Sequence, residues 1–146
     1  MPAKHQKVRI KLPEELTPDQ ISELGDLIVE KIVDRTLKGK DKDGQRFPGY
    51  SKSYKESLDF KNAGKSASNI NLELSGDMLA ALEVLKEGKT YIEVGFEDGT
   101  DENARADGNI RGTYGKQRGD KSKARDFLGI SETELNRLIR NVKSNE

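Results

Sequence analysis

The chain has 146 residues, 32% apolar and 36% charged, with 26 basic residues balancing 26 acidic ones and no cysteine. That length fits one domain with one core. Zero net charge argues against a nucleic-acid binder held by bulk positive charge, and the lack of cysteine excludes a disulfide framework, a thiolate metal site and a thiol nucleophile.

No apolar run approaches the roughly 20 residues a bilayer span needs. The N-terminus also lacks the apolar segment of a signal peptide, so the protein is expected to be soluble and cytoplasmic when made.

The first element reads as a strand, because Val8, Ile10 and Leu12 alternate with Lys7, Arg9 and Lys11 and leave one polar face suited to a sheet edge. Pro13 ends it. Leu16-Thr17-Pro18-Asp19-Gln20-Ile21 then predicts a helix start, with Thr17 at the N-cap, proline at the first position and Gln20 completing a capping box. Leu16 and Ile21 can staple that turn, and Leu24, Leu27, Ile28, Ile32 and Val33 continue a broad apolar face until Leu37 and Gly39 mark the end. This is the expected long core helix.

Residues 39–69 are rich in Gly, Lys, Asp and Ser, with Phe47, Tyr50, Tyr54, Leu58 and Phe60 spaced among them, and read as a long loop that packs a few aromatics. Ile70, Leu72 and Leu74 alternate, and Ser75 is placed to cap a short helix containing Met78, Leu79 and Leu82. Leu82-Glu83-Val84-Leu85 and Thr90 to Phe96 then flank Lys86-Glu87-Gly88-Lys89 as a β-hairpin. Residues 97–124 hold five glycines and almost no aliphatics, and read as a second long loop. The chain closes on an amphipathic helix: Ser131 and Glu134 form both halves of a capping box, and Leu135, Leu138, Ile139 and Val142 share one face. The expected fold class is α+β, a small, mainly antiparallel sheet packed on a long N-terminal helix with a docked C-terminal helix and two long loops.

Catalytic patterns are sparse. His5, the sole histidine, sits in a basic tail where solvation is the expected state. Gly39 to Gly44 suggests a calcium loop, but in the EF-hand register Gly39 and Tyr50 fall where the first and the bidentate ligands belong. Gly64-Lys65-Ser66 lacks the earlier glycine of a phosphate-binding loop, since Asp59 stands there. Asp77 with Glu87-Gly88-Lys89 has the residue types of a metal-dependent nuclease, two acids for magnesium and a lysine for the attacked phosphate, although the triplet falls in the expected hairpin turn. No other cofactor site is suggested.

Charge is unevenly distributed. Glu93, Glu97, Asp98, Asp101, Glu102 and Asp107 stand against Arg105, net −5 over residues 93–107, while Arg111, Lys116, Arg118, Lys121, Lys123 and Arg125 stand against Asp120, net +5 over residues 111–125. Two limbs of one solvated loop attracting each other account for this. A sharper reading has one limb facing the next copy in a head-to-tail ring. The basic limb, with Tyr114 alone among it, is thin as a stacking platform for nucleic acid.

Four segments in order carry a resemblance: Asp43-Gly44-Gln45-Arg46-Phe47-Pro48-Gly49-Tyr50-Ser51 with Tyr54; Leu72-Glu73-Leu74-Ser75-Gly76-Asp77-Met78; Ile92-Glu93-Val94-Gly95-Phe96; and Arg125-Asp126-Phe127-Leu128-Gly129-Ile130-Ser131 with Glu134 and Leu135. Together, over roughly residues 15–142, they resemble the virion morphogenesis family, the tail completion or neck proteins of Mu-like and P2-like tailed phages. The resemblance implies a non-enzymatic structural protein of the virion neck or head-proximal tail, assembled in the host bacterial cytoplasm. Its partners would be further copies, in a ring of six or twelve, and other neck and tail proteins.

On this chain the resemblance makes Phe47, Pro48, Tyr50 and Tyr54 a docking segment, Gly76 a turn, and Arg125, Phe127, Leu128, Gly129 and Ser131 a terminal anchor, with Phe127 and Leu128 read as intramolecular core. In such a ring Arg111, Lys116 and Arg118 could face DNA passing through the lumen. Members often have a more compact middle loop than Asp98 to Lys123, which leaves terminator, connector and stopper roles open. The alternatives from other classes are a small nucleic-acid-processing enzyme using Asp77, Glu87 and Lys89, and a monomeric protein-interaction module.

Overall fold

The computed structural model describes residues 3–46, 76–111 and 126–144. In chain order they form β1 (Lys7–Lys11), α1 (Pro18–Leu37), α2 (Gly76–Ala80), β2 (Glu83–Glu87), β3 (Tyr91–Gly95), α3 (Asp101–Arg111) and α4 (Glu132–Ser144). The fold is α+β, with a three-stranded antiparallel sheet in the order β1-β3-β2. β1 therefore lies at an edge. Its register, from Lys7 opposite Gly95 to Lys11 opposite Tyr91, puts Val8 beside Val94 and Ile10 beside Ile92 on the helix side. Across the other ladder Val84 faces Val94 and Lys86 faces Glu93, so the bulge falls at Leu85.

α1 begins as its sequence predicts. Thr17 Oγ1 accepts from Gln20 N (3.2 Å), and Gln20 Oε1 accepts from Thr17 N (2.9 Å). It ends at Lys38, and Gly39 takes up φ 80°, the left-handed conformation that closes helices at low cost for glycine. Leu24, Ile28 and Ile32 are fully buried against Ile92, Val94, Phe96, Met78 and Val142. Gly25 brings α1 close to the sheet, since a Cβ there would stand 3.0 Å from Val84 Cγ2. α4 packs on α1, so one long helix is covered by the sheet and by the C-terminal helix.

Three expectations need correction. The span 97–124 is not a loop throughout, because residues 101–111 form α3. Thr100 caps it: its Oγ1 accepts from Asn103 N (3.1 Å), its carbonyl from Ala104 N (3.1 Å), and Asp101 and Glu102 occupy the first turn where the helix dipole favours acids. α3 buries Asn103, Asp107 and Asn109 with Ala106, so its inward face carries polar side chains where an aliphatic stripe would mark a helix. The hairpin turn is also displaced. β2 runs through Glu87, and the bend is at Gly88 to Thr90, with Gly88 N donating to Tyr91 O (2.8 Å). Gly76, expected as a turn, is the first residue of α2.

Candidate functional site

The terminal anchor is assembled around Arg35 in the last turn of α1. Its side chain is 6% exposed and spreads over three acceptors: Nη1 donates to Glu134 Oε1 (2.7 Å), and Nη2 to the carbonyls of Phe127 (2.7 Å) and Gly129 (2.9 Å). Glu134 Oε1 also accepts from Ser131 N (3.0 Å), and Ser131 Oγ accepts from Glu134 N (3.1 Å), so one carboxylate closes the capping box and receives the guanidinium. Phe127 is fully buried edge-on to Phe96, at 6.2 Å and 78°, and Leu128 is buried beside it. At Gly129 a Cβ would crowd the Lys42 side chain, whose nearest atom lies 3.0 Å away. Sequence reasoning found this segment but not Arg35, whose charge looked like the ordinary basic end of a helix.

The anchor also ties together the places from which the two longest undescribed spans depart. Asp41 folds residues 40–46 into a tight turn: its carboxylate accepts from Asp43 N and Gln45 N (2.9 Å each), and Lys40 bridges Arg46. Lys42 N donates to Asp126 O (3.0 Å) and Lys42 Nζ pairs with Asp126 Oδ2 (3.1 Å). That hydrogen bond and charge raise the Lys42 pKa above its usual range. On the far side α2 packs on α3, with Met78 Sδ 3.9 Å from Asn109 Nδ2. Described residues near the borders of 47–75 and 112–125 thus touch in two places, Lys42 with Asp126 and Met78 with Asn109.

Phe47, Pro48, Tyr50, Tyr54, Lys116, Arg118, Lys121, Lys123 and Arg125 lie outside the described residues. Glu97, Asp98 and Asp101 are exposed, and Glu102 half-buried, on the turn into α3. Arg111 closes α3 with its Nε 3.7 Å from Asp107 Oδ1.

Of the nuclease candidates, only Glu87 and Lys89 have described side chains. Glu87 ends β2 on the helix side of the sheet, 3.7 Å from the place a Cβ at Gly25 would take, and Lys89 is exposed in the turn. The side chain of Asp77 lies outside the described residues. Among the described residues no cluster of His, Asp and Glu is arranged to hold a metal. His5 is not the solvated tail residue expected: it is half-buried, with Nε2 2.6 Å from Phe96 O. It belongs to a clamp in which Asn103 Oδ1 accepts from Gln6 N (2.8 Å), Asn103 Nδ2 donates to Lys4 O (3.1 Å) and Gln6 Nε2 donates to Asp107 Oδ1 (2.9 Å).

The described residues leave two surfaces uncovered. On the sheet face away from α1, Lys7, Arg9 and Lys11 stand beside Tyr91, Glu93 and Lys86. Arg9 pairs with Glu93 (2.6 Å) and lies 4.2 Å above the Tyr91 ring, and Lys7 approaches Glu93 at 3.5 Å. The Arg9 hydrogen bond, helped by the Lys7 charge, lowers the Glu93 pKa. The second surface is a groove of about 570 Å³ between α1 and α2, lined by Val29, Val33, Leu37, Leu79, Ala80 and Leu82, with Glu30 and Asp34 beside them.

No protein-family model, no curated protein and no solved structure matches this chain.

Proposed function

We propose that this protein is a structural component of a tailed phage or prophage virion, acting in the neck at head–tail joining or tail completion by forming a ring with copies of itself. The carrying observation is the ordered set of four segments ending in Arg125-x-Phe127-Leu128-Gly129-x-Ser131-x-x-Glu134-Leu135. Physical support comes from what that last segment does. Phe127 and Leu128 enter the core, and Arg35 holds the carbonyls around them, so the motif fixes the site where both long spans meet the body of the protein. A packed α+β body anchored at this motif suits a role that is geometric, not catalytic. Partner contact adds burial that a chain with 32% apolar residues uses sparingly on its own.

The test is to remove the gene from the genome that encodes it and view the induced lysate by negative-stain electron microscopy. Filled heads lying apart from tails are expected for a joining role, and tails of uncontrolled length for termination. Normal joined virions, or no phage particles in the parent lysate, overturn the proposal.

A further inference from the structure

The sheet carries opposite charge at its two ends, and we propose that its open face around Lys11, Lys86 and Tyr91 receives the acidic turn Glu97–Glu102 of a second copy. This rests on the ring reading above and names the surfaces that make its contact. No described helix covers this face, because α1 packs on the other side. Glu93, 7% exposed, is committed to Arg9 and Lys7, and Glu87 points to the helix side. Lys11 and Lys86, with Lys89 in the adjacent turn, are exposed beside Tyr91, and among the described residues none pairs with a carboxylate on that face. Arg9 and Lys86 flank the Tyr91 ring at 4.2 and 5.9 Å, which gives the cationic end a fixed flat floor.

The opposite end of the sheet is acidic. Glu83 faces Gly95, and Glu97, Asp98, Asp101 and Glu102 follow within eight residues of Gly95, against Arg105 as the nearest base in sequence and Lys7, opposite Gly95, drawn to Glu93. The turn is held in shape before any partner arrives: Thr100 Oγ1 donates to Glu97 O (2.7 Å), Gly99 takes φ 80°, and Asn103 fixes the following helix to the N-terminal arm. Four residue steps along a strand separate the ends by about 13 Å. That exceeds the Debye length of about 8 Å at physiological ionic strength, so one copy's basic end screens its own acidic end poorly. A head-to-tail neighbour brings the two into contact, and such a heterologous contact closes into a ring when its rotation allows.

Sedimentation velocity at low ionic strength tests this with four proteins: wild type, D98K/D101K, K11E/K86E and the four substitutions combined. All four positions are exposed, and thermal melts check that each variant folds. Each pair is expected to weaken self-association roughly tenfold or more, and the combination to restore it. Wild-type assembly that neither pair disturbs overturns this contact and leaves the ring reading standing. Loss with K11E/K86E alone, D98K/D101K being silent, identifies a different anionic occupant and also overturns it. So does a combination that fails to restore assembly. A wild type monomeric at every concentration and salt tested removes the ring reading and the contact with it.

Discussion

Arg35 concentrates more structural consequence than any other single residue. A charge taken from water into the core is tolerated only with acceptors in place, and here two carbonyls and a carboxylate share it. Arg35→Ala leaves all three unanswered and is expected to cost about 3–5 kcal/mol by urea unfolding. Arg35→Lys keeps the charge without the fork that reaches three acceptors, so it should recover only part of that loss. A stability within about 0.5 kcal/mol of wild type for the alanine variant would show that the guanidinium is dispensable. Glu93 acts differently. Its pKa is lowered in the folded protein, chiefly by the Arg9 hydrogen bond, so its contribution is present above the unfolded carboxylate pKa and fades as pH falls through the folded one. Thermal melts of Glu93→Gln should therefore lie below wild type at pH 7, and the gap should close on acidification below the usual carboxylate range. A gap independent of pH would assign the loss to packing instead.

At the scale of elements, the two capped helices and α3 show what patterns reveal. Thr17 and Ser131 each announce a helix by a reciprocal cap followed by an apolar stripe, and both caps form. Strand β1 was equally legible, since Lys7, Arg9 and Lys11 could only face water beside Val8 and Ile10. α3 was not, because on its buried face Asn103 matches backbone groups, and Asp107 the Gln6 side-chain amide, of the N-terminal arm 97 or more residues away. No local periodicity encodes a partner that distant. Arg35 was hidden for the same reason. The sheet–arm contact has one further mark in Gly95, where a Cβ would stand 2.4 Å from Gln6 O, although the sequence displays it only as one glycine among fourteen. Asn103→Ala tests the clamp: with Gln6 N and Lys4 O losing their partner, the expected cost is about 1–3 kcal/mol, accompanied by faster amide exchange at Gln6. Unchanged exchange there would mean that the arm is held without Asn103, by His5, the Gln6–Asp107 hydrogen bond, the Phe96 N–Gln6 O bond and the β1 ladder.

At the scale of the whole molecule, the two surfaces left uncovered by the described residues differ in physical character, and salt separates them. The open sheet face and the acidic turn act through charge, which weakens as the Debye length falls from about 10 Å at 0.1 M to about 3 Å at 1 M. The groove between α1 and α2 acts through apolar area. Val29, Val33 and Leu37 line it at helical spacing, and Leu37, 38% exposed, is the large hydrophobic left most open among the described residues. Excluded salts such as sulfate strengthen burial of that kind. The sign of the response therefore identifies which surface drives self-association. If charge does, raising sodium chloride from 0.1 to 1 M should disperse the oligomer, and Leu37→Lys should leave its size unchanged. If the groove does, sulfate should enlarge the oligomer and Leu37→Lys should abolish it. The balance of 26 bases and 26 acids favours the first outcome, because a chain without net charge resists self-contact least and gains most from placing unlike ends together. The measurement is sedimentation velocity across the two salt series, and growth of the oligomer in sodium chloride would count against charge-driven assembly.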